Sequence, residues 1–246
     1  RQMVNQGELD QLVPERVWSE IMRALEGASP GIFFETLRDL GALRVILPEL
    51  DRLFGIPQPE RHHPEIDTGI HSMMVLHQAC ALSAESETRL AALLHDIGKG
   101  TTPPAEWPSH HGHEQRGAKL VDRLCDRLRI PNRFRELCRL VAEYHTHCHR
   151  AGELKPATLL RTLQQLDALR RPERLDQFLI ACEADARGRT GFEQQPYPQA
   201  DYFKAAQRAA AAVDTTALAG KTTDQRMIPE IIFQARSRAI ASARKQ

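Results

Sequence analysis

Leu90-Ala91-Ala92-Leu93-Leu94-His95-Asp96-Ile97-Gly98-Lys99 sets an apolar, helix-forming run directly against an imidazole and a carboxylate. Such a run is built for burial, and it carries His95 and Asp96 inward with it. An unpaired buried carboxylate is destabilising by several kcal/mol, so Asp96 must meet a cation or a hydrogen-bond donor. A metal ion shared with His95 satisfies both side chains. His-Asp pairs also arise by chance, so the neighbours decide the reading.

Outward from this run, apolar residues recur at spacings of three and four, and no alternating stretch is bounded by hairpin turns. The chain is therefore predicted to be all-α. Pro14 opens a helix carrying Val17, Trp18, Ile21 and Leu25, and Ser29-Pro30 opens a second through Phe33, Phe34 and Leu37, closed by Gly41. A short third segment holds Leu43, Ile46, Leu47 and Leu50, and residues 1–60 read as a helical connector. Pro57 to Pro64, rich in proline and histidine, marks a boundary. Asp67-Thr68 then caps a helix with His71, Met74, Val75 and Leu82. After the His95-Asp96 helix, Thr101 to His113 holds three prolines, Trp107 and His110-His111, and reads as a loop across the mouth of a cleft. Helices follow over Leu120 to Leu128, Phe134 to His145, Thr158 to Leu166 and Leu175 to Ala186, so residues 61–190 form a helical bundle with a histidine-rich side. Residues 191–246 read as a helical tail: an Ala-rich helix around Ala205 to Val213, then a last helix from Pro229 ending in Arg236, Arg238, Arg244 and Lys245.

The 246 residues suffice for a substantial core, as one large or two modest domains. With 33 basic against 32 acidic residues the chain is no polycation, which excludes indiscriminate nucleic-acid binding. Of the 33, 27 are Arg, whose planar fork grips phosphate, although GC-rich codon usage produces the same bias. Five cysteines without a C-x-x-C pair suit reduced thiols, and no apolar stretch approaches the roughly 20 residues needed to span a bilayer. A soluble cytoplasmic protein with no membrane partner is expected. The opening Gln2-Met3-Val4 has the pattern of a helix interior, so the chain reads as a piece of a longer protein.

Two further side chains point inward. The apolar rhythm of Leu175, Phe178 and Cys182 lands next on Asp185, and His71 lies one turn before Met74 and Val75. An Asp near a helix end bonded to a backbone amide or an Arg, and a satisfied core histidine, are the plain structural alternatives. Lys99 either neutralises phosphate charge or is a solvated cation at a helix C-terminus. His147-Cys148-His149 is discounted as a metal cluster, because alternate residues do not share a helix face.

The order His71, His95-Asp96, Asp185 resembles the HD superfamily of metal-dependent phosphohydrolases. The resemblance implies that these four residues bind one divalent ion. A mixed nitrogen and oxygen site suits Mg²⁺, Mn²⁺, Fe, Co²⁺ or Ni²⁺ and leaves room for water and substrate. His113 and His145 then stand as ligands of a second metal or as acid and base. Arg187 and Arg189, in Asp185-Ala186-Arg187-Gly188-Arg189, stand as a phosphate clamp, although a turn uses the same glycine.

Longer strings narrow the resemblance. Met3-Val4-Asn5-Gln6-Gly7-Glu8-Leu9, Leu12-Val13-Pro14-Glu15-Arg16-Val17-Trp18, His63-Pro64-Glu65-Ile66-Asp67-Thr68-Gly69-Ile70-His71, His110-His111-Gly112-His113 and Glu183-Ala184-Asp185-Ala186-Arg187-Gly188-Arg189 together are similar to bacterial CCA-adding tRNA nucleotidyltransferases that carry an HD domain, over nearly the whole chain and weakening after about Pro196. The Gly-Ser turn and Asp-x-Asp pair of that family's nucleotidyltransferase head are not in this sequence. What the resemblance implies is the family's phosphohydrolase part, acting as 2′,3′-cyclic phosphodiesterase, 2′-nucleotidase and phosphatase on tRNA 3′ ends or nucleotide phosphates, with a head domain as partner and a tail that contacts tRNA. Two alternatives stand beside it: a non-catalytic tRNA-holding body with a structural or vestigial metal site, and an HD enzyme of free or signalling nucleotides, against which the missing Gly-Tyr-Pro signature counts.

Overall fold

A computed structural model describes residues 1–220 and 224–244, the side chain of Met3 apart; Lys245 lies outside the described residues. Among the described residues there is no β-strand, only an isolated antiparallel bridge between Pro57 and Asp67, and the all-α expectation holds. The longer helices are α1 (Pro14–Glu26), α2 (Pro30–Asp39), α3 (Thr68–Leu82), α4 (Ser86–Leu94), α5 (His113–Leu128), α6 (Asn132–His149), α7 (Pro156–Gln165), α8 (Pro172–Arg187), α9 (Pro198–Ala211) and α10 (Ile228–Ala243). Six of them, α1, α2, α7, α8, α9 and α10, have proline at the first or second position, where the missing N–H has no intrahelical acceptor to lose. The apolar rhythm alone places the starts of α7, α8 and α9 later, at Thr158, Leu175 and Ala205. The first three residues of each are exposed or half-buried and carry no such rhythm.

Two compact units are formed, Arg1–His145 with Ile180–Gln195, and Thr146–Leu179 with Pro196–Gln246. The core of the first contains Phe34, Leu50, Leu53, Val75, Leu76, Leu93, Leu94, Val121 and Phe134, all fully buried, with Trp18 edge-on to Phe134 at 4.9 Å. Arg89 of α4 is buried here and donates to the carbonyls of Leu25 and Gly27 at 2.6 and 3.0 Å. It thereby satisfies acceptors that the end of α1 leaves without helical partners. In the second unit, Leu159, Leu160 and Leu163 of α7, Phe178 of α8, Phe203 of α9 and Ile240 of α10 form the core. Phe178 and Phe203 meet in a tilted contact with ring centroids 6.4 Å apart, and the Arg161 guanidinium lies 5.1 Å over the Phe233 ring.

Three local devices in the first unit position the histidines. The Asp67 carboxylate caps α3 by accepting from Ile70 N at 2.9 Å, which starts the helix one turn before His71. The α4 helix ends with His95 still right-handed; Asp96 then departs at φ −107°, ψ 11°, and Ile97–Thr101 tightens into a 3₁₀ turn. Gly98 in that turn lies against the start of α5: a Cβ there would collide with the His113 carbonyl and stand 2.6 Å from Gly117 N. Close approach of backbone to backbone therefore seats His113 beside Asp96. Gly98→Ala is expected to lower stability by about 1–3 kcal/mol through overpacking, whereas Gly31→Ala, whose Cβ meets nothing within 4 Å, should be neutral or slightly stabilising. Urea unfolding of the two variants checks the difference.

Candidate metal centre

The first unit brings its inward-pointing histidines and aspartates to one place. From α3, His71 Nε2 lies 3.0 Å from Asp185 Oδ1 of α8. His95 Nε2 lies 3.1 Å from Asp96 Oδ2 and 3.5 Å from Asp185 Oδ1. On the other side of Asp96, His113 Nε2 and His145 Nε2 approach Oδ1 at 3.2 and 3.5 Å. Two sets of donor atoms are close enough to share an ion, His71 with His95 and Asp185, and Asp96 with His113 and His145, and every member is buried or nearly so.

The ring orientations have a common cause. The Nδ1 atoms of His71, His95, His113 and His145 face the carbonyl oxygens of Gly188, Ala92, His110 and Val141 at 2.8–3.0 Å. A carbonyl only accepts, so each Nδ1 carries a proton and each Nε2 is left to face the carboxylates. Gly188 has room to do this because it lacks a Cβ, which would lie 2.5–2.8 Å from Val75. In neutral rings, Nε2 and carboxylate oxygen are both acceptors and repel unless a cation lies between them. His95 Nε2, His113 Nε2 and Asp96 Oδ1 are indeed buried without a hydrogen-bond partner. Donor atoms left in this state fit a divalent ion.

Charge follows the same logic. Burial alone would raise the Asp96 carboxyl, but His95 and Lys99, with His113 and His145 close to Oδ1, hold it well below the usual range. Lys99 is itself buried, its Nζ 2.6 Å from both Asp96 Oδ2 and Gln58 Oε1. Burial opposes protonation of His71, yet Asp185 and Glu65 bring it up to about 9. His95 is likewise raised against burial by Asp96 and Asp185, while burial prevails at His145 and lowers it.

The other candidates lie as follows. Arg187 is held by Glu183 at 2.7 Å and by the Gln195 carbonyl at 3.1 Å. Arg189 donates to the Ala186 and His62 carbonyls at 2.8 and 3.3 Å and covers the Phe192 ring. The protein's own acceptors thus anchor both guanidiniums. His147 and His149 diverge as helical spacing requires, the first to Thr162 and the second to Tyr197. Sequence reasoning passed over Gln58, His110 and the carbonyl of Gly188, and gave Glu65 no role. Glu65 and His110 stood in the quoted strings without a role.

A helical body that brings together His71 of α3, His95 and Asp96 just past the end of α4, and Asp185 of α8 has the arrangement of an HD domain, and residues 68–186 match the HD domain family. Residues 1–54 match a second family, described as a probable RNA and SrmB-binding site of polymerase A. The multifunctional CCA proteins of Thioalkalivibrio sulfidiphilus and Teredinibacter turnerae are 57% and 56% identical to the chain over 98% of its length, covering 59% and 58% of theirs. That of Methylococcus capsulatus is 58% identical over 89% of this chain and 52% of its own. The chain is similar to these CCA proteins over nearly its whole length, consistent with their C-terminal part, and spans less than two thirds of the relatives it matches.

A His71 pKa of about 9 means that an ion taken up at Nε2 would have to displace a proton. The raised value stabilises the metal-free fold fully below about 6.5 and ceases to do so as pH rises through about 9. Over the same interval metal affinity should increase, with proton release at neutral pH. Titration calorimetry with Mn²⁺ in buffers of different ionisation enthalpy measures both effects.

Proposed function

We propose that this chain is a metal-dependent phosphoric ester hydrolase, cleaving 2′,3′-cyclic phosphates and 2′-phosphomonoesters at tRNA 3′ ends or on nucleotides during 3′-end maturation or repair. The observation that carries the reading is the buried set of imidazole and carboxylate acceptors facing one another across the site. His71, His95, Asp96 and Asp185 would hold the ion, drawn from Mg²⁺, Mn²⁺, Co²⁺ and Ni²⁺. An ion so held supplies a water of lowered pKa and a polarised phosphoryl oxygen.

The protein's own groups do the rest. Lys99, fixed by Gln58, keeps Asp96 anionic and adds positive charge where a phosphate would collect negative charge. His145, kept neutral by burial, is suited to accept a proton, and His113, bonded through Nδ1 to the His110 carbonyl, presents Nε2 on the same side of Asp96. Arg187 and Arg189 act by holding the segment after Asp185, a more modest role than a direct phosphate clamp. The cytoplasm is the proposed setting, in keeping with five free cysteines; no helix among the described residues is long and apolar enough to cross a membrane. A nucleotidyltransferase head, which the family resemblance implies, is the proposed covalent partner.

A second reading, a tRNA-holding body whose metal site does not turn over, is favoured by the match of residues 1–54 to an RNA-binding family. Hydrolysis of 2′,3′-cyclic AMP by the isolated chain, scanned across the four ions, separates the two. Metal-dependent turnover that Asp96→Ala lowers at least about 1,000-fold supports the hydrolase, roughly 4 kcal/mol of transition-state stabilisation. A folded chain that binds tRNA and does not turn over supports the second.

A further inference from the structure

The segment from Pro57 to Asp67 contributes no ligand to the centre as read above, yet it lines the back of it. Gln58 Oε1 accepts from Lys99 Nζ, and the Pro57 carbonyl accepts from His110 Nε2 at 2.8 Å, whose own carbonyl orients His113. Glu65 Oε1 stands 3.0 Å from Nδ1 of both His63 and His71, with a side chain only 3% exposed.

The backbone beside Glu65 is strained. Ile66 adopts φ +59°, a left-handed conformation that disfavours a β-branched residue by about 1–2 kcal/mol. It is held there from several sides: Ile66 N donates to the His63 carbonyl at 2.8 Å, and Gln58 N donates to the Ile66 carbonyl at 2.7 Å. The Asp67 carboxylate also accepts from Gly55 N and Ile70 N at 2.6 and 2.9 Å. Strain maintained by so many bonds belongs with a backbone set to aim a side chain, and the side chain adjacent to it is Glu65.

His63, Glu65 and His71 are close enough to share an ion of their own. The Gly188 carbonyl, 2.9 Å from His71 Nδ1, argues otherwise, because it requires a proton on that nitrogen and a protonated nitrogen cannot ligate. The trio is therefore a hydrogen-bonded tether.

We propose that Glu65 is a positioning residue for the metal centre: its carboxylate shares the Nδ1 proton of His71 with the Gly188 carbonyl, fixing the ring so that Nε2 faces Asp185 and His95, and making that nitrogen a stronger donor to the ion. The proposal rests on the metal-centre reading, and the test separates the two. Mn²⁺ and Ni²⁺ affinities are measured by calorimetry on the full chain and on Glu65→Ala and Glu65→Gln. ¹⁵N-edited NMR of the metal-free proteins reports the His71 tautomer and its Nδ1 proton.

Outer carboxylates of this kind set metal affinity by about 10–100-fold. Glu65→Ala should lose that much, and Glu65→Gln, which keeps the shape and an oxygen but not the charge, should lose about 10-fold with the melting temperature nearly unchanged. The His71 Nδ1 proton resonance should move upfield in both. If Glu65→Ala fails to fold, Glu65→Gln decides. Wild-type affinity in a folded Glu65→Gln, with the resonance unmoved, overturns the role of Glu65 alone; absence of metal binding by the parent chain overturns the metal-centre reading and the proposal with it.

Discussion

Asp96 is a carboxylate at 1% exposure, and the rest of the first unit is organised around keeping it charged. Lys99 approaches one oxygen and His113 and His145 the other, while His95 stands beside it in the chain. Each approach has a structural consequence. Lys99 reaches Asp96 because α4 gives way to a 3₁₀ turn, and His113 reaches it because Gly98 has no side chain to hold that turn away from α5. A buried charge lacking any of these neighbours would leave unmatched desolvation behind, so the site and the packing that surrounds it stand or fall together.

Much of this was readable from residues. The starts at Pro14 and Pro30 and the Asp67 cap were read directly, since both signals act through local geometry, whereas the prolines opening α7, α8 and α9 were passed over. Helical periodicity aims His71 and Asp185 inward, but their meeting with His95 and Asp96 was implied only by the family resemblance, since periodicity says nothing of which helices adjoin. What could not be read depended on contacts between distant segments. The carbonyl of Gly188 lies 117 residues from His71, and no pattern of side chains announces a carbonyl. Lys99 was open between a solvated cation and a site residue; its burial followed from Gln58, 41 residues away. Arg187 and Arg189 show the reverse case. Their spacing suggests a phosphate clamp, and the structure occupies both with Glu183 and backbone carbonyls.

The second unit is built on different terms. Its core is aromatic and alanine-rich, around Phe178, Phe203, Ala206 and Ala210, and Arg244 is drawn to the Ala151 and Gly152 carbonyls and lies over the Tyr202 ring. The basic side chain that follows α10, at the end of the described residues, is thus engaged within its own unit. The clustered histidine chemistry of the first unit has no counterpart here: among the described residues, every group of side chains spaced to share an ion belongs to Arg1–His145 with Ile180–Gln195.

His95, His113 and His145 are each anchored to a carbonyl three or four residues earlier in the chain. Each ring is therefore stiff relative to its own backbone segment and moves with it as one piece. The size of the hole that the Nε2 atoms define is then governed by the spacing of helices rather than by the swing of side chains. Were an ion held there, discrimination by radius would be a mechanical property of the bundle, open to change by a substitution that shifts two helices without touching a donor atom.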